Sequence, residues 1–316
     1  MTTSYNGGAN YPNDDYGTGD YGTGDYSADA FDVNASHGAL RHHGTTLVDG
    51  TYGDGQQLHP INDPATNGWV HRRGTGKMNA VEAWGFGFKA TFANWQVWIT
   101  YGLLATVGIF ALSYVVPVVG NLLSFAMLFV YPVIYSFALM STLAKHWKFN
   151  GLNAPRYGLS LGVLVVISLI AMLIGVIVLL IALAVFGQPI MDTAGTLDQA
   201  ALESGDIEEM MPLILSMMKV IGLTGLIMFF LAPFFVFPVW YAADNAADFG
   251  GSLKEGISAG ARNYGQLLLF SLIGVVVTVV GALLFGLGLV VVVPASTLAQ
   301  AYAYRQVSGG PVPAEA

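Results

Sequence analysis

Apolar residues gather along this chain in six long runs, all of them C-terminal to residue 94, with short polar segments between. No Asp, Glu, Lys, Arg or His lies near the middle of any run. About 20 apolar residues suffice to cross the hydrocarbon core of a bilayer as a helix. The pattern therefore predicts an all-α integral membrane fold with spans over residues 95–116, 122–144, 157–186, 217–243, 264–284 and 289–304. The third run, about 30 residues or about 45 Å as straight helix, exceeds the core and is expected to tilt or protrude. Pro117-Val-Val-Gly-Asn121 and Phe285-Gly-Leu-Gly288 are the expected tight turns.

Two shorter segments have a different periodicity. In residues 79–92, Val81, Trp84, Phe88 and Phe92 fall on one helical face, with Glu82 and Lys89 off it. This predicts an amphipathic helix lying on the membrane. Asn79 and Glu82 have capping-box spacing, and Gly85 and Gly87 weaken the helix intrinsically. Ser252-Leu-Lys-Glu255 opens a second such segment, and a fixed offset pairs Asn79 with Ser252, Glu82 with Glu255, Gly87 with Gly260 and Lys89 with Arg262. Each segment feeds a span that begins with Asn and an aromatic, Asn94-Trp95 and Asn263-Tyr264, and the third span begins at Arg156-Tyr157-Gly158. Ser141-Thr-Leu-Ala144 and Ser296-Thr-Leu-Ala299 match near the ends of the second and sixth spans. The even spans each carry a proline toward their ends: Pro132, Pro233 with Pro238, and Pro294. Such prolines free a backbone carbonyl and kink the helix. Together these features predict three related hairpins plus two interfacial helices.

Composition agrees with this reading. Of 316 residues, 54% are hydrophobic and 10% charged, whereas a soluble domain carries about 25% charged residues. There is no cysteine, which excludes disulfides, thiolate metal sites and thiol catalysis. Residues 1–75 are polar, lack an apolar signal-peptide core and read as a disordered cytoplasmic tail rich in Tyr, Gly and Asp. Within it Tyr16-Gly-Thr-Gly-Asp20 repeats as Tyr21-Gly-Thr-Gly-Asp25, followed by Tyr26-Ser-Ala-Asp29. These tyrosines are either adhesive points for a protein partner or part of a merely solvated segment. The tail to residue 63 holds nine Asp against Arg41 alone. An acidic tail argues against nucleic acid as a partner, since phosphate binding needs clustered Lys and Arg. Residues 76–308 form the expected membrane domain, and 309–316 read as a disordered C-terminus. With six spans, eleven of the twelve Lys and Arg fall on the side of the termini, and only Lys219 falls opposite. The positive-inside rule then puts both termini in the cytoplasm of a plasma-membrane protein.

The segment from Ser252 to Arg305 carries the Ser-Leu-Lys-Glu helix, Asn263-Tyr-Gly-Gln-Leu-Leu, the Gly286-Leu-Gly288 turn, Pro294 and Ala301-Tyr-Ala-Tyr-Arg305. It resembles the closing module of uncharacterised bacterial membrane proteins related to the membrane domain found beside glycerophosphoryl diester phosphodiesterases. Residues 80–103 resemble the opening of similar proteins, frequent in actinobacteria. The resemblance implies a polytopic fold and no particular activity.

Candidate chemistry is sparse. Asp244-Asn245-Ala-Ala-Asp248 sets two carboxylates at i and i+4 with an amide between, which could ligate a divalent cation through oxygen or simply end a helix among lipid headgroups. Neither a metal nor a cofactor is expected. His42-His43, with His37, His59 and His71, lacks metal-site spacing, and His146 is expected to meet headgroups. Gly158-Leu-Ser-Leu-Gly162 is a GxxxG helix-packing motif, within the chain or in a homo-oligomer, and Gly256-Ile-Ser-Ala-Gly260 repeats the spacing. The expected function is a non-enzymatic scaffold or accessory subunit, in contact with membrane lipid and with protein partners through the tail. A transporter or channel for a lipid or neutral solute is the alternative, and a headgroup enzyme built on Asp244 and Asp248 is a third reading.

Overall fold

The computed structural model describes residues 68–108, 117–145, 156–196 and 207–314. The chain runs β1 (Val70–Arg73), α1 (Ala80–Ala93), α2 (Trp95–Leu103) with a π turn over Leu104–Gly108, α3 (Pro117–Leu143) and α4 (Tyr157–Thr196). It continues with α5 (Ile207–Leu231), a 3-10 turn (Ala232–Phe234), α6 (Pro238–Ala243), α7 (Phe249–Arg262), α8 (Tyr264–Leu283), α9 (Leu289–Ser308) and β2 (Pro311–Ala314). Among the described residues the fold is all-α apart from this pair of strands.

Among the described residues four helical stretches are long and apolar enough to cross a membrane: Phe125–Leu143, Tyr157–Gly195, Met210–Ala243 and Tyr264–Leu283. The other two predicted spans differ. α2 has only nine residues, and 109–116 lie outside the described residues. α9 is one continuous helix around Pro294, but 14 of its 20 residues are buried. Its C-terminal half is rich in small and polar residues because protein surrounds it.

Several local expectations are corrected. Pro117 opens α3 instead of turning the chain, as suits a residue with no N–H to satisfy at a helix start. α4 runs 40 residues, about 60 Å. It takes in residues 187–196 of the expected acidic loop, where Gln188 Nε2 donates to Asp192 Oδ1 at 2.8 Å and Thr193 Oγ1 donates to the Pro189 carbonyl at 2.7 Å. The stretch Met210–Ala243 is interrupted between α5 and α6 at Pro233 and Pro238, the prolines expected to kink it.

β1 and β2 are antiparallel, with Val70 opposite Ala314 and Arg72 opposite Val312. Gly309, at φ +80°, reverses the chain after α9, and the Gly74 N–H donates to the Gly310 carbonyl at 2.9 Å. Residues 68–75 and 309–314 are thus ordered where the sequence pattern implied disorder. A lone two-stranded sheet is marginal in water. Here Trp69 and Val312 are buried against the helices, which supplies what the strands lack. The buried core includes Trp69, Trp84, Trp98, Trp240 and Tyr304. Away from it Leu122, Met172, Leu283 and Phe285 are exposed.

α1 keeps only part of the apolar face its periodicity suggested free for lipid. Val81 and Phe92 are exposed, but Trp84 is buried, stacked on Phe270 at 5.2 Å and donating its Nε1–H to the Phe270 carbonyl at 3.0 Å. The closest packing runs along Ala80, Ala83, Gly87 and Ala90, against α9. A Cβ on Gly87 would lie 2.2 Å from the Ala295 carbonyl oxygen, and one on Gly102 would overlap Val290. α7 repeats the device: a Cβ on Gly256 would lie 2.4 Å from Pro238, and one on Gly260 would lie 2.3 Å from the Pro233 carbonyl oxygen. Each short helix therefore seats a glycine against the proline region of a later or earlier long helix. α1 and α7 are both 14 residues long, capped by Asn79 and Asp248 and ended by Asn94 and Asn263. One common offset equates these caps and Gly87 with Gly256. Ser252 is inside α7, four residues past its cap, so the register drawn through Ser252-Leu-Lys-Glu255 is corrected by four positions.

A second correspondence links long helices. Tyr157, opening α4, donates its hydroxyl to the Phe129 carbonyl at 2.8 Å, and Tyr264, opening α8, donates to the Phe230 carbonyl at 3.0 Å. Each acceptor lies three residues before a proline, Pro132 or Pro233, where the ring disrupts the helical hydrogen bonds.

Candidate functional site

The C-terminal ends of α3, α6 and α9 meet in a buried polar junction. Arg305 of α9 donates from Nη1 to Asp244 Oδ2 at 2.8 Å, with the two side chains 2% and 1% exposed. The Tyr304 hydroxyl donates to the same oxygen at 2.8 Å. Arg305 Nε donates to Thr142 Oγ1 of α3 at 3.0 Å, and the Thr142 hydroxyl in turn donates to the Leu139 carbonyl at 2.6 Å. Trp240 stacks on Tyr304, and Tyr241 meets it edge-on at 5.1 Å. A charge pair shielded this fully holds only with good geometry and further hydrogen bonds. Both conditions are met, so the junction acts as a three-way clamp.

The other members of the candidate cluster point elsewhere. Asn245 takes the left-handed conformation, φ +55°, which an Asn tolerates. The Ala246 N–H then donates to the Tyr241 carbonyl at 3.0 Å, closing the end of α6 in a Schellman-like turn. Asp248 caps α7, accepting from the Gly251 N–H at 2.7 Å. The two carboxylates thus serve an ion pair and a helix cap. Among the described residues no group of three His, Asp or Glu is placed to hold a metal ion. Gly162 is in ordinary contact with the Phe249 ring, and Gly158 faces open space. Close helix approach falls to Gly256 and Gly260 instead.

The start of α1 is held by amides from distant segments. Asn263 Oδ1 accepts from the Met78 N–H, Gln306 Oε1 from Asn79 and Gln266 Oε1 from Ala80, at 2.9, 2.9 and 3.1 Å. Asn79 Oδ1 accepts from Val81 and Glu82. Five consecutive N–H groups at a helix start, which lack intrahelical partners, are thereby satisfied. Asn263 Nδ2 also donates to the Gly76 carbonyl at 3.1 Å. The end of α3 is served similarly: Trp69 Nε1 donates to the Ser141 carbonyl at 3.3 Å, His71 Nε2 lies 2.9 Å from the Thr142 carbonyl, and Asn94 Nδ2 donates to the Lys145 carbonyl at 2.7 Å. Trp69 and His71 share one face of the extended segment, which is why alternate residues reach the same helix end. Lys89 and Lys145 hold their ammonium groups 5.7 and 5.6 Å from the Trp69 ring centre. Desolvation, then the charge of Lys145, lowers the Lys89 pKa.

Sequence reasoning counted Arg305 as a surface charge of the inner side and missed its partner. One signal was available: Arg305 and Asp244 each terminate an apolar helix, with opposite charge. His37, His42, His43, His59, His146 and the tyrosine repeats lie outside the described residues. No family model, no curated protein and no solved structure matches this chain.

Proposed function

We propose that this protein is a six-span plasma-membrane protein, both termini cytoplasmic, acting as a non-enzymatic scaffold or accessory subunit of a membrane or envelope assembly. The observation that carries this reading is the β1–β2 clip over a packed inner core. It fixes the exit of the acidic tail beside the C-terminus on a firm platform, the arrangement a protein needs to present a recruiting segment. The matched α1 and α7 helices, and the Tyr157 and Tyr264 contacts, support an internal repeat of hairpins.

Crosslinking in native membranes tests the scaffold. It predicts reproducible protein partners, some of them lost when residues 1–63 are deleted, and a chain that purifies alone would refute it. Topology is tested directly because the chain has no cysteine. Single-cysteine variants at Arg73 and Phe285 should react with impermeant reagents from opposite faces, and labelling from one face would overturn the arrangement.

The broken helix at Ala232–Phe237 supports a second reading, transport of a lipid or neutral solute, because interrupted helices line substrate sites in transporters. Flux into proteoliposomes distinguishes it.

A further inference from the structure

A cleft of about 200 Å³ opens at the inner end, between the end of β1, the turn into α1 and the last turn of α9. Arg72, Arg73 and Lys77 line it, with Glu82 as the sole carboxylate among the described residues and Thr75, Asn79 and Gln306 as neutral polar residues. Glu82 is already engaged: its Oε2 accepts from Arg72 Nη2 at 2.6 Å and from Gln306 Nε2 at 3.0 Å. This fixes Arg72 in place and leaves Arg73 and Lys77 without an ion-pair partner among the described residues. The cleft thus carries a net positive charge with two uncommitted donors, one a guanidinium that matches phosphate oxygens in pairs.

We propose that this cleft binds a phosphate group, and that its occupant is the headgroup of an anionic phospholipid. The surface beside it selects lipid over free phosphate. Val81 is 65% exposed one turn from the cleft, and Phe92 and Trp95, 58% and 57% exposed, continue an apolar stripe away from it. Phe88, partly buried, lies between them at helical spacing. A phosphate in the cleft places the acyl chains of the same molecule along that stripe. α1 therefore reads lipid with its outer face while its inner face packs on α9. The inference rests on the membrane placement proposed above, which the cysteine labelling tests independently.

The experiment uses the full chain in phosphatidylcholine nanodiscs, titrated with phosphatidylglycerol and, separately, with inorganic phosphate. Lipid retention is read by native mass spectrometry and stability by thermal unfolding. Wild type should retain phosphatidylglycerol and gain stability from it, with little response to inorganic phosphate. The Arg73→Gln/Lys77→Gln variant should bind phosphatidylglycerol about 30-fold more weakly, from about 1 kcal/mol for each surface cation, and unfold as wild type does in phosphatidylcholine alone. Lys254→Gln/Arg262→Gln, which removes two inner-side cations outside the cleft, should bind normally. Equal loss in that control means diffuse attraction and overturns the site. An equal response to inorganic phosphate overturns the lipid as occupant. Tighter lipid binding after deletion of residues 1–63 makes the acidic tail the occupant and overturns the proposal in the same way, whereas unchanged binding supports it.

Discussion

Gly85 and Gly87 lie two residues apart in α1, so intrinsic propensity predicts the same outcome for alanine at either. Alanine removes the glycine penalty in a helix, a gain of about 1 kcal/mol. The surroundings differ sharply. No atom comes within 4 Å of a Cβ on Gly85, whereas one on Gly87 would lie 2.2 Å from the Ala295 oxygen, 2.9 Å from the Ala299 Cβ and 3.0 Å from the Ala299 nitrogen. Two of these three are backbone atoms of α9, which cannot rotate away as a side chain could. Restoring ordinary contact, near 3.5 Å, requires α1 and α9 to separate by about 1 Å along their most extensive interface. Overpacking of this kind costs about 1–3 kcal/mol. Gly87→Ala should fall at the upper end and lose about 2 kcal/mol net, while Gly85→Ala gains up to about 1 kcal/mol. Equilibrium unfolding in mixed detergent micelles, followed by tryptophan fluorescence, measures the gap of about 3 kcal/mol. Equal effects at the two sites, or a stabilising Gly87→Ala, would refute the close α1–α9 packing.

Three further outcomes follow from the junctions. Asp244→Ala leaves the Arg305 guanidinium buried and unpaired and should cost about 3–5 kcal/mol. Asp244→Leu combined with Arg305→Met should recover most of that loss in the same unfolding assay. Asn263→Ala deprives the Met78 N–H and Gly76 carbonyl of their partner and should cost about 1–3 kcal/mol, with faster proteolysis near residue 76. Ending the chain at Ser308 removes β2, uncovers Trp69 and should red-shift its emission. An unshifted spectrum would show that Trp69 does not depend on the clip.

What could be read from the residues follows from which environment each residue answers to. Lipid demands apolarity along a whole helix, so α4, α5 and α8 declare themselves in composition. α9 was legible as a helix but not as the interior one. Its alternation of Ala with Tyr, Gln and Arg suits both a headgroup region and a protein interior, and only the partner segments decide between them. The glycines of α1 show the same limit. Their cost to the helix is local and visible, whereas their benefit depends on a backbone some 200 residues away in sequence. Asp244, Asn245 and Asp248 stood out as a polar cluster because they are close in sequence. A helix end, a left-handed turn and a helix start compressed into five residues separate them by function. Asp244's true partner, Arg305, is brought to it only by the return of the last helix.

That last helix has a consequence for biosynthesis. α9 supplies the surface on which α1 and α2 rest and the cation that neutralises Asp244, yet it leaves the ribosome after α1 to α8. Until it arrives, the earlier helices hold an uncovered glycine-lined face, and Asp244 lacks the Arg305 cation, so this core closes only once α9 has been delivered. The helices made earlier must therefore wait, partly assembled, until α9 is in place. Truncations anywhere upstream of Leu289 should be cleared as unfolded chains instead of persisting as smaller bundles.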